Sequence, residues 1–311
     1  LIKCTGCVKD ENGNVVEVLA TYDPESRGGD PADGRKVKGA TIHWVDANNC
    51  ADAEIRLYSN LFADENPDGE GKNYIDLTSG IGVTAFGIAD DAWVAATTAQ
   101  LMKLQHVSNL YYTEPCAKLA QLLCEKTGMK KVFFSNSGAE ANECAIKAAR
   151  KYGEINKGKD NYYIITLKNS FHGRTITTLS ATGQEVFHKD FNPLTDGFIN
   201  AEANDLNSVE KLISEYKCCA VMIELVQGEG GVNVLKKDFV KGVEKLCLEN
   251  DLLLIVDEVQ TGNGRTGKLY AYQNYSICPD ILTTAKGLGG GLPIGATMFN
   301  DKTQSVLKAG M

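Results

Sequence analysis

Leu252-Leu-Leu-Ile-Val-Asp-Glu-Val-Gln260 is a run of five large aliphatic residues that ends abruptly in two carboxylates. An apolar run of this length without polar alternation fits a strand buried on both faces, as in a parallel sheet covered by helices. Four further runs repeat the design, at residues 132–134, 163–167, 220–225 and 281–284. Segments of helical period lie between them. Leu206, Val209, Leu212 and Ile213 make one apolar stripe, Phe239, Val240, Val243, Leu246 and Cys247 another, and Leu119, Leu122 and Leu123 a third that stops at Gly128. Strands alternating with helices predict an α/β fold with a mostly parallel sheet. Residues 294–299 read as an added antiparallel strand, and a further strand is expected near Thr178.

The first 60 or so residues have a different texture. Ala40, Ile42 and Trp44 alternate with Thr41, His43 and Val45, residues 15–22 follow a turn signal at Asn12-Gly13, and residues 53–57 alternate again. This is the pattern of small antiparallel β-structure. The Pro- and Gly-bearing stretch 23–34 reads as an exposed loop, and residues 64–71 read as a linker. At 311 residues the chain exceeds the roughly 250–300 that one core supports, so two domains are expected, at 1–72 and 73–311.

Hydrophobic residues make up 43% and charged residues 23%, which is ordinary globular usage and excludes a disordered chain. No apolar run approaches the roughly 20 residues of a membrane span, and no basic-then-apolar signal opens the chain. Ten cysteines are too few for a disulfide scaffold, so a reduced, cytoplasmic protein is expected. Cys4-Thr-Gly-Cys7 lacks a second pair of ligands at zinc spacing; ordinary thiols are the better reading, and no metal site is expected. The net charge is −8, and residues 1–72 hold 8 basic against 14 acidic side chains, which argues against a nucleic-acid footprint there. The chain opens on Leu1 and not Met, so it reads as a fragment.

In an open parallel sheet, ligands bind beyond the carboxyl ends of the strands. After residues 132–134 comes Ser135-Asn-Ser-Gly-Ala-Glu-Ala141, where Ser137 and Glu140 form a capping box and open an Ala-rich helix. That motif fits a well-capped helix; with small residues at Gly138 and Ala139 it also fits an anion cup. Asp257 ends the central strand, and a buried carboxylate needs a partner: helix N–H groups, an arginine or a cationic ring nitrogen. Lys286 follows residues 281–284. A lysine in such a loop is commonly solvated, but a desolvated one loses its proton more readily and can form a Schiff base. Gly262-Asn-Gly-Arg-Thr-Gly267 matches the dinucleotide fingerprint, yet five residues separate it from its strand and no clean helix follows, which disfavours a nicotinamide-dependent oxidoreductase.

Six segments taken in order carry a family resemblance: His106-Val-Ser-Asn-Leu-Tyr-Tyr-Thr-Glu-Pro115, Ser135-Asn-Ser-Gly-Ala-Glu-Ala-Asn142, Phe171-His-Gly-Arg-Thr175, Gln227-Gly-Glu-Gly-Gly231, Val256-Asp-Glu-Val-Gln-Thr-Gly262 and Ala285-Lys-Gly-Leu-Gly-Gly-Gly-Leu-Pro293. Over about 73–311 they resemble the class III pyridoxal-phosphate aminotransferases, most closely those acting on acetylornithine. The resemblance implies the large domain of a PLP-dependent transferase of fold type I, with the smaller C-terminal domain missing. It implies that Lys286 holds pyridoxal 5'-phosphate as a Schiff base and carries the substrate proton, and that Asp257 pairs with the pyridine nitrogen. Ser137, Gly138 and Ala139 would hold the phosphate, Phe171 would stack on the ring, and Gln260 would bond near the ring hydroxyl. Arg174 would clamp the substrate α-carboxylate, and Glu229 would act as the switch that masks a distant arginine. The implied reaction is amino transfer from N-acetylornithine, or a related ω-amino donor, to 2-oxoglutarate in a homodimer.

Residues 1–72 resemble something else. Thr21-Tyr-Asp-Pro-Glu-Ser26, Asp30-Pro-Ala-Asp-Gly-Arg-Lys-Val-Lys-Gly39, Ile42-His-Trp-Val45 and Glu54-Ile-Arg-Leu-Tyr58 are similar to the anticodon-binding region of glutaminyl-tRNA synthetase. This implies a partial small antiparallel β-barrel without aminoacylation and with at most weak tRNA contact through Arg35, Lys36 and Lys38. A join near Lys72-Asn73 implies a fused or misassembled reading frame, and a tRNA-binding fragment is the alternative function.

Overall fold

The computed structural model describes residues 2–12, 15–22, 76 and 78–310. The chain divides into two compact units, Leu1–Ile42 and His43–Met311. In the first, β1 (Ile2–Lys9) and β2 (Val15–Tyr22) pair antiparallel, with Ile2 opposite Tyr22 and Cys7 opposite Val18. The Asn12 N–H donates to Asp10 Oδ1 at 2.9 Å, so the expected turn signal sits where the hairpin reverses. The strands expected at 40–45 and 53–57, the loop 23–34, the linker 64–71 and the join at 72–73 lie outside the described residues, as do the side chains of Cys4 and Cys7.

The second unit begins with the helical turn α1 (Ser79–Gly82) and continues through α2 (Asp91–Leu101), α3 (Glu114–Thr127), β3 (Lys131–Ser135), α4 (Gly138–Lys157), β4 (Tyr163–Leu167), α5 (Ile176–Ala181) and β5 (Phe198–Ala201). Then come α6 (Leu206–Glu215), β6 (Cys218–Ile223), β7 (Val226–Gln227), β8 (Asn233–Val234), α7 (Lys237–Glu249), β9 (Leu253–Asp257), α8 (Tyr272–Tyr275), β10 (Ile281–Ala285) and β11 (Gly295–Phe299). Seven strands form one sheet in the order β3-β11-β10-β9-β6-β4-β5. The β4–β5, β4–β6, β6–β9 and β9–β10 pairs are parallel, while β11 runs antiparallel to both β10 and β3. This is an α/β fold with a mostly parallel sheet.

Strand alternation decides what each side chain meets. Leu253 and Ile255 pack with Ala145, Ala148 and Ala149 of α4 on one face, whereas Leu254 and Val256 pack with Val240 and Val243 of α7 on the other. Both faces are covered, which is why the run needed no polar residue. Burying one such side chain contributes roughly 1.5–3 kcal/mol. The small residues of α4 let that helix lie close to the sheet, and Ser137 caps its start while Gly158, at φ 98°, ends it.

Three expectations are corrected. Near Thr178 there is a helix, α5, and not a strand: Ile176, Thr177 and Thr178 are β-branched, but the Thr175 side chain caps the turn by accepting from the Thr178 N–H. The strand at 132–134 is not buried on both faces, because β3 is an edge strand and Phe133 is 45% exposed. Leu122 also faces outward, leaving Leu119 and Leu123 as the packed members of its stripe. The four-residue edge strand β5 was not anticipated. No described helix is long and apolar enough to cross a membrane.

Candidate active site

The carboxyl ends of β3, β4, β6, β9 and β10 converge on a cavity of about 360 Å³. It is lined by Ser137, Gly138 and Ala139 after β3, by Phe171 and Arg174 after β4, by Asp257 and Gln260 after β9, and by Lys286 after β10. Eight of the nine residues singled out in the sequence therefore share one space. The ninth, Glu229, is an exposed residue between β7 and β8 and reaches the lining through Gln260, whose Nε2 lies 3.4 Å from Glu229 Oε1.

At the start of α4, Ser137 Oγ accepts from the Glu140 N–H at 3.1 Å, and Glu140 Oε2 accepts from the Asn136 N–H at 2.6 Å. The return arm of the capping box thus lands one residue earlier than the usual N-cap N–H. The first N–H groups of a helix have no partner within it, and here they belong to small residues at the cavity wall. Gly138 is required by contact: a Cβ there would lie 2.7 Å from Val259 Cγ1.

Asp257 is 3% exposed and surrounded by hydrogen-bond donors. Its Oδ1 accepts from the Val259 N–H at 3.0 Å, and its Oδ2 accepts from Asn142 Nδ2 at 2.8 Å and lies 2.8 Å from His172 Nδ1. No lysine or arginine among the described residues forms an ion pair with it. Lys286 leaves β10 with φ 49°, a left-handed conformation that costs a non-glycine residue about 1–2 kcal/mol. Burial holds its amine below the usual lysine range, opposed by the negative charges of Glu229, Asp257 and Glu224.

Glu224 lines the same cavity and is 6% exposed. Burial, and then the neighbouring Asp257 charge, push its carboxyl well above the usual range, while the Phe171 N–H donates to its Oε2 at 2.9 Å. The Arg174 guanidinium lies over the rings of Phe171 and Phe187, 5.3 and 4.1 Å from their centroids, so stacking holds the fork at the cavity wall. His172, Glu224 and Asn142 were given no role in the sequence reading. A glutamate inside the apolar run 220–225 is the available signal for Glu224, which follows β6; Asn142 and His172 acquire theirs through partners 115 and 85 residues away. The Gly262–Gly267 segment forms turns and not a helix start, with Asn263 Nδ2 donating to Thr284 Oγ1 and the Ala285 carbonyl.

The sequence pattern of the family described as aminotransferase class-III matches residues 65–311. An acetylornithine aminotransferase of Haemophilus ducreyi is 55% identical over 243 residues, covering 78% of this chain and 62% of that protein. A succinylornithine transaminase of Citrobacter koseri is 49% identical over 243 residues, covering 78% of this chain and 60% of its own. Among solved structures, the ornithine aminotransferase from Toxoplasma gondii matches with a TM-score of 0.75 at 32% identity, over 84% of this chain and 63% of that one. The chain thus spans about 60% of the length of these relatives. With the family pattern filling nearly all of its second unit, and with strand ends gathered round a cavity that holds a lysine and a buried aspartate, the chain belongs to the class-III aminotransferase family.

Proposed function

We propose that this chain carries the cofactor-binding large domain, residues 73–311, of a pyridoxal 5'-phosphate-dependent aminotransferase that moves an amino group from N-acetylornithine, or a related ω-amino donor, to 2-oxoglutarate. The observation that carries this reading is the convergence of Lys286 and Asp257 on one cavity with the open start of α4. The fit to the cofactor is chemical. An aldehyde needs an amine of lowered basicity, a pyridinium needs a buried carboxylate without another cation, and a phosphate needs N–H groups that side chains do not cover. Lys286, Asp257 and the Ser137-Gly138-Ala139 turn supply these in that order.

When bound, pyridoxal phosphate supplies an electron sink that lets a substrate Cα release its proton. The chain's own residues do the rest. Lys286 Nζ, more readily deprotonated because it is buried, would hold the aldehyde and, once the substrate amine has displaced it, would as a free amine take and return the Cα proton. Asp257 would keep the ring nitrogen protonated, Phe171 would pack against the ring, and Gln260 would donate near its hydroxyl. Arg174, stacked on two phenylalanines, presents its fork to the substrate α-carboxylate. Glu229, at the rim beyond Gln260, is the switch between amine donor and 2-oxoglutarate.

The partner we propose is a second copy of the chain. Leu110 is 85% exposed, and Met102, Tyr111 and Tyr112 are also exposed, so residues 102–112 offer apolar surface of the kind a homodimer buries. For residues 1–72 we retain, from the sequence resemblance alone, the partial anticodon-binding barrel with at most weak tRNA binding. A reduced, cytoplasmic setting suits the free thiols of Cys116 and Cys278, both exposed. The deciding experiment titrates pyridoxal phosphate into the purified chain and looks for an absorbance change that borohydride fixes to protein, beside Lys286→Ala. A band absent from the variant supports the function; a folded chain that gives no band overturns it for this chain.

A further inference from the structure

His172 is 2% exposed and fixed from three sides. Its N–H donates to Thr182 Oγ1 at 3.0 Å, its carbonyl accepts from Asn142 Nδ2 at 2.8 Å, and its Nδ1 lies 2.8 Å from Asp257 Oδ2. The other ring nitrogen, Nε2, is buried with no hydrogen-bond partner among the described residues. That orphan atom discriminates among the protonation states. An imidazolium would bury a charged N–H with nothing to receive it. The Nε2–H tautomer would bury an orphan donor and set the Nδ1 lone pair against a carboxylate oxygen. The Nδ1–H tautomer satisfies the contact with Asp257 and leaves only an acceptor unfilled, the cheapest of the three omissions.

The consequence falls on Asp257. Asn142 cannot flip its amide, because Oδ1 accepts from Thr283 Oγ1 at 2.7 Å while Nδ2 serves His172 and Asp257. Asp257 Oδ2 is therefore filled by two neutral donors, whereas Oδ1 has only the Val259 N–H. A neutral imidazole orients the carboxylate without cancelling its charge; a cationic one would already be the counterion. We propose that His172 is a positioning residue, held as the neutral Nδ1–H tautomer, that occupies Asp257 Oδ2 and thereby reserves Oδ1 and the full negative charge for the ring nitrogen of the cofactor. This rests on the cofactor reading above.

The test uses the full chain with 15N-labelled histidine at neutral pH, before and after addition of pyridoxal phosphate labelled at its ring nitrogen. The expected His172 spectrum shows one protonated nitrogen, Nδ1, and one bare nitrogen; an imidazolium or an Nε2–H tautomer overturns the proposal without reference to any variant. Two substitutions extend it. The amide of His172→Asn falls where Nδ1 was and should retain cofactor affinity and the protonated ring-nitrogen shift. His172→Phe should weaken cofactor binding by about tenfold to a hundredfold and move the ring-nitrogen shift towards the unprotonated value. If His172→Phe keeps the parent affinity and shift, the inference falls while the function stands. If the folded parent chain takes up no cofactor, it is the function that falls.

Discussion

Asp257 and Glu258 are consecutive carboxylates, both buried, at the end of the same strand, yet they serve opposite faces of the sheet. Asp257 continues the Leu253 and Ile255 side and meets Asn142 of α4 and the cavity. Glu258 turns to the Leu254 and Val256 side. There Oε1 accepts from the Tyr272 N–H at 2.7 Å and Oε2 accepts from Thr261 Oγ1, which ties α8 and the loop after β9 to the strand end. Burial raises the Glu258 carboxyl to about 7, and Glu258 does not line the cavity that Asp257 faces. Burial of an acid is thus no mark of chemistry by itself. What separates the two is whether the remaining acceptor capacity faces space a ligand can enter.

This contrast can be broken from either side. The largest effect is expected at the site face. Lys286→Ala should abolish borohydride-fixed cofactor and lower amino transfer by about a thousandfold or more, with little change in melting temperature. Asp257→Asn should slow single-turnover amino transfer by about a hundredfold to a thousandfold, because a neutral amide cannot hold a ring nitrogen protonated. On the other face, Glu258→Ala should destabilise the chain by about 3 kcal/mol in denaturant melts by stranding the Tyr272 N–H and the Thr261 hydroxyl. The molecules that remain folded should still take up cofactor; loss of uptake there would erase the separation of faces.

The same glutamate sets a pH signature. Its folded-state value, about 7, lies above the unfolded value of 4.5, so the stability it contributes is fully present below pH 4.5 and lost as pH rises through about 7. The loss is on the order of 3 kcal/mol. Glu258→Gln should flatten the fall in denaturant midpoint across that window. The smallest effect belongs to Gly138→Ala, whose Cβ meets Val259 Cγ1 at 2.7 Å. Overpacking of about 1–3 kcal/mol is expected, together with weaker uptake of inorganic phosphate, measured by competition with the cofactor.

Much of this arrangement was legible because it follows from local rules. The apolar run 163–167 coincides with β4, and Ser137, Asp257 and Lys286 lie just past apolar runs, where strand direction alone carries them to one edge of the sheet. Alternation along residues 253–258 would also have placed Asp257 and Glu258 on opposite faces. What stayed hidden depends on pairings that no local window contains. His172 sits inside a quoted motif, but its meaning lies in Asp257. At Thr178 the reverse holds: a strand is expected in a run of three β-branched residues, and a local cap from Thr175 starts a helix there instead. Phe133 was misplaced because periodicity does not report which strand becomes an edge.

The antiparallel insertion of β11 has a consequence in time. Among the described strands, β3 has β11 as its one lateral neighbour, and the two are separated by about 160 residues of chain. On a ribosome adding roughly 5–20 residues per second, β3 waits about 8–30 seconds with an open backbone edge before Gly295–Phe299 can close it. Pulsed hydrogen exchange on stalled nascent chains should find the amides of Val132 and Phe134 protected only once Phe299 has emerged. The turn that carries Gly138 and Ala139 would then be among the last parts of the molecule to set, so a synthesis interrupted before Lys286 yields a chain with its lysine missing and its phosphate turn unsupported together.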